Sequence, residues 1–193
     1  MDSNNTPEFF FQSIFDRHLE IVQKTRDSLT KDVENGAKII VNALQKGGQI
    51  LVCGNGGSAA DSQHFVAEFV CKYKKDRKPL PAIALTGNSS ILTAIGNDYD
   101  FGKVFRRQIE ALGRAGDVLV LISTSGTSRN ILEAVSEARS RGLKTIALTG
   151  ESGEDLKKET DVAIVVPSKE TARIQEVHEI IYHAWCESID AIV

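Results

Sequence analysis

The chain has 193 residues, 41% of them hydrophobic and 25% charged, with a formal net charge of −3. That size and composition suit one ordinary globular domain. A mildly acidic net charge argues against broad nucleic-acid binding, which normally needs a basic face, while leaving room for a local basic patch, and no apolar run reaches the roughly 18 residues of a membrane span. The start, MDSNNTPEFFF, is acidic and polar rather than basic and then apolar, so no secretory signal is expected. Cys53, Cys71 and Cys186 are odd in number and lack metal-type spacing, so they read as reduced thiols of a cytoplasmic protein.

In chain order, residues 7–46 are expected to form two helices that pack on the domain and on an oligomer interface. Residues 49–53 form the first strand-length apolar run. The loop Gly54-Asn55-Gly56-Gly57-Ser58 follows it and opens a helix over residues 58–73. Glycines let a ligand approach the backbone, and the helix start offers unpaired N–H groups to an anion or hydroxyl. The loop is neither a dinucleotide fingerprint nor a Walker loop. The basic stretch at residues 72–78 is read as the solvated C-terminus of that helix, before Pro79.

A second strand is expected at 81–85, a helix at 101–113 and a third strand at 117–122. Then comes Ser123-Thr124-Ser125-Gly126-Thr127-Ser128, with more hydroxyls than one helix cap needs, at the start of a helix over 127–141. The surplus suits a phosphate, which a helix N-terminus can hold without lysine. Strands at 144–148 and 162–166 and a helix at 170–192 complete the pattern. The strands are near-continuously apolar, as parallel strands buried on both faces are. Alternation with helices predicts an α/β, doubly wound, five-stranded parallel sheet in a single domain. The pentapeptide IALTG occurs at both 83–87 and 146–150, a partial repeat of the strand–loop–helix unit.

His64 and Glu68 stand four residues apart, on one helix face. Gln175 and His183 are eight apart on the last helix and share a side. Two imidazoles, a carboxylate and an amide oxygen could hold zinc or another divalent ion. Spacing alone leaves His178 as an alternative to His183. His18 is read as structural, and Trp185 as core or interface.

At these residues the chain resembles the phosphoheptose isomerases of the sugar isomerase (SIS) domain group. The likeness is carried by CGNGGSAADSQHFVAE, GND at 96–98, STSGTS and ARIQEVHEIIYH. It implies a flavodoxin-like fold, a homotetramer, one Zn2+ per subunit and a sugar-phosphate substrate. The implied reaction converts D-sedoheptulose 7-phosphate to D-glycero-D-manno-heptose 7-phosphate through an enediol, in heptose synthesis for lipopolysaccharide. It implies zinc ligands His64, Glu68, Gln175 and His183, so His183 rather than His178. It implies substrate contacts from Asn55, Gly56, Gly57, Glu68, Asn97, Asp98, Ser123, Thr124, Ser125, Ser128 and Gln175.

Glu68 is assigned as base and His183 as acid. Some members carry Asp at the position of Ala172, which leaves the ring-opening residue open, with Asp61 and Asp98 as candidates. Two other functions stand beside this one. One is a non-catalytic SIS tetramer that binds the bacterial replication initiator. The other is a sugar-phosphate-sensing domain of a regulator.

Overall fold

The computed structural model describes residues 10–192. Helix α1 spans Phe11–Gln45, followed by β1 (Ile50–Gly54), α2 (Gly57–Val70), β2 (Ala82–Ala84) and α3 (Ser89–Asp98). A short 3-10 turn at Phe101–Lys103 leads into α4 (Arg106–Leu112) and β3 (Val118–Ser123). Then come α5 (Arg129–Ser140), β4 (Lys144–Gly150), α6 (Glu154–Glu159), β5 (Val162–Val166) and α7 (Thr171–Asp190).

The five strands pair parallel in the order β2-β1-β3-β4-β5. Residues on β1, β3 and β4 alternate between two cores, as strand geometry requires. Ile50, Val52, Val118, Val120, Ile122, Ile146 and Leu148 point to the face covered by α1, α2 and α7. Leu51, Cys53, Leu119, Leu121 and Ala147 point to the face covered by α4 and α5. The sheet is therefore doubly wound, as expected from the sequence.

The chain leaves β1 toward β2 on one side and β3 toward β4 on the other. The carboxyl ends of β1 and β3 thus form the topological switch point, where open sheets of this kind place ligands. Both glycine/serine loops leave the sheet there.

Three expectations need correction. Residues 11–45 form one helix, not two, and residues 7–9 lie outside the described part. Gly36 does not break this helix, because it makes room for a neighbour: a Cβ there would stand 2.7 Å from Trp185 Cζ2. Trp185 itself is buried and donates from Nε1 to the Val33 carbonyl at 2.8 Å. Second, α2 ends at Val70, so the basic stretch follows the helix rather than ending it, and its lysines are exposed as expected. Arg77 turns inward instead, onto Asp190 of α7. Third, α3 and α6 were not foreseen; α3 is capped by Asn88, whose side chain accepts from Ile91 N at 3.0 Å. All three cysteines are free thiols, and burial pushes Cys186 up to about 12.

Candidate functional site

The cleft at the switch point is lined by Asn55, Gly56, Gly57, Ser58, Ser123, Thr124, Ser125, Ser128, Thr171 and Gln175, and holds about 300 Å³. Asn55 is fixed by a reciprocal amide pair with Asn130, at 2.9 and 2.8 Å. In the second loop, Gly126 N donates to Ser123 Oγ at 3.1 Å. Gly126 has φ +65°, and a Cβ there would lie 2.5 Å from Gly153 Cα. Glycine is thus required on both conformational and steric grounds. Ser128 occupies the N-cap of α5 but makes no side-chain cap bond. A plain serine cap would make that bond, so its hydroxyl is left for the cleft.

Helices α2 and α7 begin at this end of the sheet and run side by side away from it. Gly57 is where they meet: a Cβ at Gly57 would stand 2.5 Å from Gln175 Nε2. Further along, Gly57, Asp61, His64 and Glu68 follow the helical repeat down one stripe of α2. Gln175, Glu179 and His183 do the same on α7.

His64 Nε2 lies 3.2 Å from Glu68 Oε1, and Nδ1 lies 3.1 Å from the Tyr182 hydroxyl and 3.8 Å from Glu179 Oε1. The His64 and His183 rings meet edge to face at 5.0 Å between centroids. The ligand atoms of His64, Glu179 and His183 all fall within 4.8 Å of one another. Glu179 was missed in the sequence, although its place midway between Gln175 and His183 on one stripe could have pointed to it.

Electrostatics fits this picture. Burial, and then the Glu179 charge, raise Asp61 to about 6. Asp61 Oδ2 is buried with no hydrogen-bond partner. Burial, followed by the charges of Asp61 and Glu179, holds the Tyr182 phenol above its ordinary value, so it stays protonated. Carboxylates gathered on two imidazoles in a half-open seam form a donor set of the kind zinc takes.

His178 has no place in this seam. It is fully buried against the sheet, with Nε2 3.3 Å from the Thr149 carbonyl, and burial lowers its pKa to about 4. Asn97 and Asp98 are exposed at the end of α3, joined by a 2.9 Å bond from Asn97 Nδ2, and lie outside the residues lining the cleft. His18 pairs with Glu176 at 2.7 Å, tying α1 to α7, in keeping with a structural role. Ala172 is exposed and contributes no carboxylate beside the cleft.

A model of the SIS domain matches residues 14–150. The chain is 50% identical over 173 residues to the phosphoheptose isomerase of Aliarcobacter butzleri, covering 90% of this chain and 92% of that protein. The chain belongs to the phosphoheptose isomerase family of SIS-domain proteins.

Its backbone follows solved members of that family. The phosphoheptose isomerase of Neisseria gonorrhoeae superposes with a TM-score of 0.89 at 46% identity, over 93% of this chain and 96% of that one. The phosphoheptose isomerase from Francisella tularensis gives 0.90 at 43% identity, with the same coverage. Membership carries an enzyme class, the aldose–ketose isomerases. Among the described residues no helix is long and apolar enough to cross a membrane.

Proposed function

We propose that the chain is a cytoplasmic phosphoheptose isomerase that interconverts D-sedoheptulose 7-phosphate and D-glycero-D-manno-heptose 7-phosphate. The observation that carries this reading is the continuity of two unlike sites. Gly57 and Gln175 line the cleft and touch each other, and the His/Glu seam lies further along the same two helices. The two sites are separated by the seven residues of helix from Gly57 to His64, roughly 10 Å. An extended seven-carbon sugar reaches across such a gap, with its phosphate on Ser123, Thr124, Ser125 and Ser128 and its C1–C2 end beside Glu68 and His183.

Isomerisation requires a proton to leave C1 of the ketose and return at C2, through a C1–C2 enediol. In this reading the Glu68 carboxylate takes the C1 proton and delivers it to C2. His183 moves the proton between the two oxygens. The cleft fixes the phosphate, so the reacting carbons stay within reach of Glu68.

The zinc ligands proposed are His64, Glu68, Gln175 and His183. A bound divalent ion would supply Lewis-acid polarisation of the carbonyl. Glu68 is thereby asked to serve as both ligand and base, and Glu179 relieves that conflict by offering a second carboxylate to the same imidazoles. Asn97 and Asp98, exposed on α3, would join the substrate in the assembled protein.

Assembly as a homotetramer is part of the same proposal. It is supported by an apolar groove of about 590 Å³ between α1 and α7, lined by residues such as Val22, Val41 and Ile181. Phe11, Phe15 and Leu19 are more than 60% exposed on α1.

The test is conversion of sedoheptulose 7-phosphate by the purified chain with added zinc, followed by NMR of the heptose product. Turnover at ordinary enzymic rates is expected. Failure to convert the sugar, with capture of the replication initiator in a pull-down, would overturn the proposal.

A further inference from the structure

Residues 71–81 have no regular structure, yet they run beside the seam. Tyr73 in this segment lies nearly parallel to the His183 imidazole, at 26° with 5.7 Å between centroids. His183 is also met edge-on by His64 at 5.0 Å and by Tyr182 at 4.8 Å. Tyr73 thus adds a third ring around it.

No strand or helix holds Tyr73 in place; an ion pair does. Asp190, at the end of α7, accepts from Lys74 N at 2.8 Å and Lys75 N at 2.9 Å, the two amides that follow Tyr73. Its other oxygen accepts from Arg77 Nε at 2.7 Å. Both side chains are nearly buried, at 5% and 6% exposure. The same guanidinium donates to the Phe69 carbonyl at 3.0 Å and the Glu68 carbonyl at 2.9 Å. Those carbonyls belong to the last turn of α2, where helix geometry leaves acceptors unpaired. A rigid, five-donor fork suits such a junction better than a lysine would.

We propose that Tyr73 is a positioning residue for His183, held in place by the Arg77–Asp190 clamp, which also fixes the end of α2 that carries Glu68. This rests on the assignment of Glu68 and His183 made above. Groups that orient metal-site and catalytic side chains typically matter about 10- to 100-fold in affinity or activity.

The experiment compares Tyr73→Ala, Tyr73→Phe and the parent chain in three measurements: the His183 resonance in metal-free protein, zinc affinity by chelator competition, and steady-state kinetics. In Tyr73→Ala, loss of the ring current should move the His183 resonance downfield while His18 stays. Zinc affinity or kcat should fall about 10- to 100-fold, with KM for the sugar phosphate within about twofold. Tyr73→Phe keeps the ring and should restore all three. Asp190→Asn should move His183 in the same direction as Tyr73→Ala.

Zinc affinity and kcat both unchanged in Tyr73→Ala, a His183 resonance unmoved in Tyr73→Ala, or a Tyr73→Phe variant as impaired as Tyr73→Ala, overturns the proposal. The resonance and the zinc competition read Tyr73 without any turnover. A parent chain that does not isomerise the sugar would therefore overturn the functional proposal and leave this one decided by its own data.

Discussion

The cleft at the strand ends and the seam between α2 and α7 are built in opposite ways. The cleft is built mainly from two short loops, each contiguous in sequence, with Thr171 and Gln175 of α7 beside them, and the second loop's shape is locked by backbone, as in the Gly126 approach to Gly153. The seam consists of side chains from helices more than a hundred residues apart in sequence, held by one another and by the Arg77–Asp190 pair. A loop locked by backbone can bind without adjusting and should lose little when one hydroxyl is removed. A seam of mutually dependent side chains should fail sharply when one member changes.

The largest effect is therefore expected at Glu68. Glu68→Gln keeps the shape and removes the base, and it should lower kcat about 1000-fold or more while sugar-phosphate binding persists. Steady-state kinetics beside a direct binding titration checks this. Near-normal turnover would dissolve the contrast, since the seam would then tolerate loss of the carboxylate paired with His64.

The seam and the sheet beneath it should also respond oppositely to acid. His178 is buried with its pKa lowered to about 4, below the ordinary 6.5. The unfolded chain takes up this proton first, so His178 contributes stability above pH 6.5 that is lost as pH falls toward 4, about 3 kcal/mol in full. Asp61, raised to about 6, works the other way: the native state holds its proton longer, so stability falls as pH rises from about 4 to 6. Partial solvent contact reduces that term to about 1 kcal/mol.

Urea unfolding at several pH values separates the two. His178→Leu should remove most of the acid-side loss, and Asp61→Asn should stabilise the protein at neutral pH only. Parallel curves for the parent and His178→Leu would refute the buried, neutral assignment.

This contrast also governs how much the sequence disclosed. Five apolar runs fixed the strand count, and the two glycine/serine loops are contiguous motifs, so the sheet and the cleft were legible. The seam was legible only in fragments. His64 and Glu68 sit on one helix, but nothing in spacing chose His183 over His178, because a helix stripe says which residues share a side and not which side faces the sheet. Glu179 lies on the Gln175–His183 stripe and could have been read from it, whereas Tyr182 becomes visible only once α2 lies against α7. The basic stretch was legible for its lysines, which are exposed, but not for Arg77, which is buried by a partner 113 residues away. Helix α3 was not foreseen, although Asn88 is an N-cap residue at its start.

Gly126→Ala probes the backbone side of the comparison. The substitution meets a positive φ and the Gly153 backbone at once, and should cost about 2 kcal/mol of stability. It should also raise KM, because the serine hydroxyls move with the chain. A fall in melting temperature with KM unchanged would mean that the loop's shape serves the fold alone.

The smallest effect is expected at Ser125. Its Oγ lies 3.2 Å from Thr127 Oγ1, and the residue is exposed at the cleft, so removing the hydroxyl leaves no buried group stranded. One hydrogen bond to a charged phosphate is worth about 1.5 kcal/mol, which corresponds to roughly a tenfold rise in KM. The neighbouring hydroxyls and the N–H groups of the turn remain to hold the anion, so kcat should stay near the parent value. Comparing Ser125→Ala with Glu68→Gln in one assay sets a graded loss in KM against a collapse in kcat. If Ser125→Ala lowered kcat as Glu68→Gln does, the phosphate grip would be coupled to the chemical step, and the cleft would belong to the same mutually dependent network as the seam.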